Sequence, residues 1–453
     1  MQKNARLTKL LVSLLVLGIV TAVLGGCGRN GGHLDEKNGT SAQRNGDSQP
    51  AGKKEITLWM KKMHVEDSNR MIVQRVKEFA AQKDIKTNVE IIAYEDFLPK
   101  CISAIESGKT PDVSFFGYQE VGQFYEMGLL RDLSSLYNKL GSEQGAFYPG
   151  LKNAVTFEGR QYGIPFWAEA TVMYYRKDLL AAAGFREPPR TWEDYREVVK
   201  ATTDPAKGIY GAGIGYGKGN SDSEWFTRAV LWSYGGAEVD KDGRTVTINS
   251  PASVAAAKFI SDLFLVDKST PPSAIGWDDS GNNKAYLSGQ AVTVFNTGSI
   301  AYTAKIDNPD LYKNTGVVPL PAGPEGRFIP GIENTLGIFN NSRNPELAQQ
   351  LIEFMLDKAW YSSWIDRSAP LLCPVYSELG DSPIWNEPMN KPFIQSVKDF
   401  TFLGYKSGFS SRAGQVYNIR LVNDTFEEMI LNKLPPEKAM QNLQAKMQEI
   451  YNK

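Results

Sequence analysis

The sequence predicts an α/β protein built on largely parallel sheet, and three observations carry that expectation. From Glu55 onward, short runs rich in β-branched and aromatic residues alternate with stretches of helical period. The composition, 42% hydrophobic, 11% aromatic and 22% charged, is that of an ordinary globular chain and excludes a wholly disordered, collagenous or polytopic membrane protein. At 453 residues the chain has material for more than one core, so two or three lobes are expected.

Taken in order, Ile56-Thr57-Leu58-Trp59 reads as a strand, residues 67–82 as an amphipathic helix, Val89-Glu90-Ile91-Ile92 as a second strand, residues 96–107 as a second helix, and Val113-Ser114-Phe115-Phe116 as a third strand. A βαβαβ order requires crossover connections and hence parallel pairing. Trp59, on the first strand, reads as core. Later helices announce their starts. Thr191-Trp192-Glu193-Asp194 has the spacing of a capping box, and Ser250-Pro251 and Asn344-Pro345 each place a capping residue before a first-turn proline. The last of these continues with Leu347, Leu351, Phe354 and Met355 on one face, the pattern of a core helix. Residues 238–249 alternate around Asp242-Gly243 and read as a β-hairpin rather than a calcium loop, because no ligand follows at loop position 12. Residues 211–219 carry glycine at every second position. Neither nucleotide fingerprint fits: position 216 is Tyr where a dinucleotide loop needs Gly, and Gly217-Lys218 is followed by Gly219 where a P-loop needs Ser or Thr. The run is expected to be a flexible loop.

Lys3, Arg6 and Lys9 precede an apolar run over residues 10–24, the order of a secretory signal, and the run is short for a spanning helix. It ends in Leu24-Gly25-Gly26-Cys27, which resembles the bacterial lipobox; the resemblance implies cleavage after residue 26 and lipidation of Cys27, hence a membrane anchor. Residues 27–54 are almost free of large apolar side chains and are expected to be a flexible tether. Cleavage removes three positive charges and no negative one, leaving 47 basic residues against 51 acidic. Nucleic acid is therefore a poor partner, since no basic surplus is available to neutralise phosphates. Two histidines, His33 and His64, leave little room for a His-rich metal centre, and no cofactor is expected. Cys101 and Cys373 are read either as two buried thiols or as a pair.

Several segments, in order, resemble the extracytoplasmic solute-binding proteins of ATP-binding-cassette importers, in the large sugar-type family that includes the maltose-binding protein. They are Ile56-Thr57-Leu58-Trp59, Gly108-Lys109-Thr110-Pro111-Asp112-Val113, Tyr162-Gly163-Ile164-Pro165-Phe166, Tyr174-Tyr175-Arg176-Lys177-Asp178-Leu179, Pro188-Pro189-Arg190-Thr191-Trp192, Gly235-Gly236 and Ser288-Gly289-Gln290-Ala291. The resemblance spans roughly residues 55–450. It implies a type II periplasmic-binding-protein-like fold, with two hinged α/β lobes, a solute trapped between them and a monomer that delivers it to permease transmembrane subunits. The implied lobes are 55–165 plus 334–375, and 166–333 plus 376–453.

A sugar presents apolar C–H faces and hydroxyl edges, so its site needs aromatic plates with carboxylates or amides at the rim. By position in the family's motifs, the resemblance implies His64 after the first strand, Phe116 and Tyr118 at the end of the third, Glu169, Trp225, Trp277-Asp278, and Glu333-Asn334. After Ala291-Val292-Thr293-Val294 the family commonly has Gly-x-Trp; this chain has Asn296-Thr297-Gly298-Ser299-Ile300, which argues against a maltodextrin ligand. The expected function is a lipid-anchored carbohydrate receptor on the extracytoplasmic face, not an enzyme. An exported glycoside hydrolase with two carboxylates, or a ligand sensor for a membrane kinase on the same fold, stays open as an alternative.

Overall fold

The computed structural model describes residues 54–63 and 65–452. The signal segment, Cys27, the tether up to residue 53, and His64 lie outside the described residues.

Twelve strands are found among the described residues: β1 Glu55–Lys61, β2 Lys86–Ile92, β3 Val113–Gly117, β4 Thr156–Phe157, β5 Arg160–Gln161, β6 Ile164–Ala170, β7 Val172–Arg176, β8 Tyr210–Gly213, β9 Ala291–Asn296, β10 Thr315–Val318, β11 Ile329–Gly337 and β12 Phe400–Thr401. The first five predicted elements are present. β1 pairs in parallel with both β2 and β3, with helices Glu66–Lys83 and Tyr94–Ser107 as the crossovers. β11 closes this first sheet: it pairs antiparallel with β3 and β6 and in parallel with β12. The second sheet runs β10-β7-β9-β8, with only the β8–β9 pair parallel. The chain passes from the first sheet to the second at Thr171 and returns between Val318 and Ile329. After the return, helix Lys391–Lys398 packs on β6 and β7, helix Ser411–Asn418 touches helix Tyr118–Glu126, and helices Leu421–Leu431 and Pro436–Tyr451 cover helices Ser221–Ser233 and Pro251–Leu265.

Local capping explains why the helices start where they do. Thr191 Oγ1 accepts the Asp194 N–H at 3.1 Å and the Asp194 carboxylate accepts the Thr191 N–H at 3.2 Å, so the capping box forms in full. Ser250 Oγ accepts the Ser253 N–H at 3.2 Å ahead of Pro251. Asn344 departs from the expected cap. Its amide donates instead to the Glu55 carbonyl at 3.1 Å, tying the helix Pro345–Met355 to the first strand, and the helix buries Leu351 and Met355 as its pattern requires.

The glycine run at 211–219 is a correction. Gly211 and Gly213 lie within β8, and the run is packed closely as far as Gly217, only Gly219 standing open in a turn: a Cβ at Gly211 would stand 2.0 Å from the Val199 carbonyl oxygen, and one at Gly217 would stand 2.3 Å from the Trp277 carbonyl oxygen. These glycines exist so that backbones can approach. The hairpin at 238–249 is reduced to one bridge, Val239 to Val246, with Asp242 accepting the N–H groups of Arg244 and Thr245 at 2.8 Å each.

Two large cores result. One spans the first sheet and continues through Ala170, Val172 and Tyr174 into the second; the other fills the helical layer on the second sheet around Trp192, Phe226 and Phe295. Cys101 and Cys373 are both buried and free. Among the described residues no helix is long and apolar enough to cross a membrane.

Candidate functional site

The ends of strands and the first turns of helices carry the chemistry. Tyr94 opens the helix that follows β2, and Glu169 lies near the end of β6. Asp222 is in the first turn of helix Ser221–Ser233, Asp279 lies in the turn before helix Gly281–Leu287, and Arg420 precedes helix Leu421–Leu431. Tyr94 is 56% exposed. Its hydroxyl is pushed above the ordinary phenol range, first by loss of water and then by the charges of Glu120, Glu169 and Asp279, with Arg420 pulling the other way. Glu120 and Glu169 come from the first-sheet side, Asp279 from the second. Beneath Tyr94, the buried Lys61 ammonium donates to Glu120 Oε1 at 2.9 Å and lies 5.0 Å from the Tyr94 ring centroid.

A polar floor is assembled from the second-sheet side. Asn220 caps its helix by accepting the Ser223 N–H at 2.8 Å and donates to the Trp277 carbonyl at 3.0 Å. The Asp279 carboxylate accepts from Ser221 N and Ser221 Oγ, both at 2.6 Å, at the positive end of that helix. Asp222 Oδ2 accepts from the amides of Asn282 and Asn296 at 3.0 Å each. Asn296 also donates to Asn283, and Ser299 Oγ donates to Asn296 Oδ1 at 3.0 Å. Burial, then repulsion from Asp279 and Glu169, pushes the Asp222 carboxyl up to about 7, against the Asn282 hydrogen bond, which lowers it. Asn296 and Ser299 belong to the segment where the resemblance leads one to expect a Trp.

An aromatic cluster joins elements of both sheets. Trp225 and Tyr417 are buried with ring centroids 4.5 Å apart, and the Arg420 guanidinium lies 4.1 Å from the Tyr417 ring centroid. Tyr118 belongs to the same cluster, edge-on to Phe402 at 4.9 Å and Phe409 at 5.5 Å, with its hydroxyl accepting the Leu403 N–H at 3.3 Å.

The structure thus brings Tyr118 and Trp225 into one cluster, and the Glu169 charge raises both the Tyr94 hydroxyl and the Asp222 carboxyl. Glu169 is half-buried and accepts from Trp167 Nε1 at 3.1 Å. Trp277 is half-buried over the glycine run and donates to Ser273 Oγ at 3.2 Å. Asn334 is 7% exposed, in register with Gly117 of β3 and Trp167 of β6. Tyr118, fully buried with its ring against Phe402 and Phe409, has no face open to a solute in this structure, and three more expected positions fall elsewhere. The Phe116 ring is fully buried against Phe97, Phe124 and Phe339, so in this structure both its faces are occupied by protein. The Asp278 carboxylate is held below the usual range by the Ser280 hydroxyl and N–H in its own turn, and its neighbour Asp279 makes the contacts with Ser221 and Asp222. Glu333 is 1% exposed; Oε1 accepts from Thr335 Oγ1 at 3.1 Å, Oε2 has no partner, and burial holds the carboxyl far above the ordinary range.

Asn296 stands out in the sequence as a departure from the family pattern, whereas Tyr94, Asp222, Asp279, Asn282, Tyr417 and Arg420 carry no motif that singles them out. The capping triplet Asn220-Ser221-Asp222, three residues ahead of Trp225, was the one local signal available for them.

Comparison with known proteins gives this geometry its context. A binding protein of Brucella abortus is 25% identical over 382 residues, covering 83% of this chain and 89% of that protein. The diacetylchitobiose binding protein DasA of Streptomyces coelicolor is 24% identical over 329 residues, covering 69% of this chain and 73% of its own. Among solved structures, maltose-bound MalE3 of T. maritima superposes with a TM-score of 0.73 at 24% identity, over 87% of this chain and 99% of that one. The fold is the type II periplasmic-binding-protein fold of the maltose-binding proteins. The model of the bacterial extracellular solute-binding protein family matches residues 66–361, and the chain belongs to that family.

Proposed function

We propose that this protein is an extracytoplasmic receptor of an ABC importer, anchored through a lipid on Cys27, that binds a mono- or oligosaccharide between hinged lobes and delivers it, as a monomer, to a membrane permease. The lobes are taken as 55–165 plus 334–375, and 166–333 plus 376–453, with first-sheet and second-sheet elements facing one another across the cleft. One arrangement supports the reading: in it the exposed Tyr94 and the Trp225–Tyr417 pair, with centroids 4.5 Å apart beside Arg420, supply rings, and Glu169, Asp222, Asp279 and Asn296, the last three joined by hydrogen bonds, supply carboxylates and an amide. Rings suit the apolar faces of a sugar and the rim suits its hydroxyls, while solute that contacts both lobes favours the closed state by its differential affinity. Trp277 and Asn334 are assigned to the same site and His64 joins it from the sequence, while Tyr118, fully buried against Phe402 and Phe409, supports the ring cluster from behind. The relatives named above are binding proteins, which supports binding without turnover.

The test is a thermal-shift screen of the purified protein against glucose, maltose, laminaribiose, diacetylchitobiose and ribitol. A ligand that binds only the native state raises Tm by mass action, by an amount set by its concentration relative to Kd. Glu169→Ala should abolish most of the shift. No shift with any panel member, or an unchanged shift in Glu169→Ala, counts against the assignment. Hydrolysis of maltose, laminaribiose or diacetylchitobiose would instead favour the glycoside hydrolase reading.

A further inference from the structure

Two buried carboxylates and one buried guanidinium lie directly behind the aromatic wall. Arg228 Nε donates to Glu238 Oε1 at 2.8 Å and Arg228 Nη1 donates to Glu224; the three side chains are 1%, 5% and 0% exposed respectively. Trp232 Nε1 donates to the second Glu238 oxygen at 2.8 Å. The second Glu224 oxygen accepts the backbone N–H of Asn423, whose amide donates to the Gly217 carbonyl at 2.9 Å. Such a triad is an expensive way to fill space, because well-packed apolar residues of the same volume avoid the desolvation cost. What it supplies here is direction. Asn423 belongs to the helix that begins after Arg420, a non-glycine residue in the left-handed region at φ 53°. Arg420 in turn donates to the Tyr417 carbonyl at 2.6 Å and lies over the Tyr417 ring. The Arg228 guanidinium itself lies 5.9 Å from that ring, and Trp225 precedes it by three positions on the same helix.

We infer that Arg228 is a positioning residue for solute: acting through Glu224, it holds the turn Tyr417–Asn423 against helix Ser221–Ser233, so that the rings of Trp225 and Tyr417 and the guanidinium of Arg420 keep one fixed relation at the cleft. This rests on the binding reading above. The two carboxylates divide the role. Glu224 leads to the cleft through Asn423, whereas Glu238 leads away from it to Trp232, although both are equally part of the triad.

The experiment compares Glu224→Gln with Glu238→Gln, using the panel sugar that gives the wild type its largest thermal shift, by isothermal titration and by ligand-induced change in tryptophan emission. Both variants lower Tm of the free protein. A purely structural triad leaves sugar affinity alike in the two. The positioning role requires a loss of tenfold or more in Glu224→Gln with a loss under twofold in Glu238→Gln, and a smaller emission change only in the former. Equal affinities in the two variants overturn the inference. A second arm uses Arg228→Lys, which keeps a cation between the carboxylates but loses the fork. It should cost fivefold or more in the wild-type background and under twofold in Trp225→Leu; additive losses overturn the inference. A wild type that binds no panel sugar overturns the binding reading and this inference with it, whereas a wild type that binds, with Glu224→Gln unchanged, overturns this inference alone.

Discussion

Asp222→Asn tests the electrostatics of the cleft floor quantitatively. In the folded chain the Asp222 carboxyl is pushed up from 3.8 to about 7, by burial first and by Asp279 and Glu169 after it. The native state therefore keeps its proton while the unfolded chain has already lost it, and unfolding releases a proton throughout the interval. The stability associated with the neutral carboxyl is present in full below the unfolded value and is lost as pH rises through about 7. Three units at about 1.36 kcal/mol each set an upper bound of about 4 kcal/mol. Asp222 is half-buried, and solvent screening reduces that bound. An asparagine is neutral at every pH, and its oxygen can still accept the amides of Asn282 and Asn296. The variant should match the wild type at pH 4 and exceed it by about 1 to 4 kcal/mol at pH 8. Urea unfolding at pH 4, 5.5, 7 and 8, with a common m value, measures the difference. A difference that stays flat across this range, or one that favours the wild type at pH 8, refutes the electrostatic argument.

Phe116→Ala should lose about 3 to 5 kcal/mol of stability, as expected for removing a fully buried ring, and leave sugar affinity unchanged in the remaining folded fraction; calorimetric titration at 15 °C would detect a contrary loss of affinity. Glu333→Gln should flatten the stability profile at neutral pH. The raised Glu333 carboxyl makes the wild type lose stability as pH rises above the usual carboxylate range, so the gain from the variant must grow with pH, and a gain confined to acid would refute the assignment of a neutral carboxyl.

How much of the site could be read in advance depended on where each side chain found its partner. Motif position points to Glu169, Trp225 and Tyr118; in the structure Trp225 and Tyr118 are buried in one aromatic cluster and Glu169 accepts from Trp167 Nε1. Trp277-Asp278 was one residue from the informative carboxylate: a turn that ends in a helix cap can use either of two adjacent aspartates, and Asp278 satisfied its own turn while Asp279 met Ser221. Phe116 alternates with Phe115 on a strand buried on both faces, so its direction relative to the cleft depends on β11 and helix Tyr118–Glu126 packing over it. Tyr417 and Arg420 lie almost 200 residues from Trp225, and nothing local links them.

The amino-acid sequence alone determined what short-range physics controls. It set the βαβαβ opening, the capping box at Thr191, the cap at Ser250 and the buried stripe of Leu351 and Met355, because these depend on periodicity and on hydrogen bonds across three or four residues. Only the tertiary structure decided that Asn344 would cap nothing and hold Glu55, that Gly211 and Gly217 would admit a neighbouring backbone, and that Asp222 would accept the amides of Asn282 and Asn296. Each of those outcomes is a long-range contact, and its free energy depends on which groups the closed chain has removed from water together, a quantity no local pattern contains.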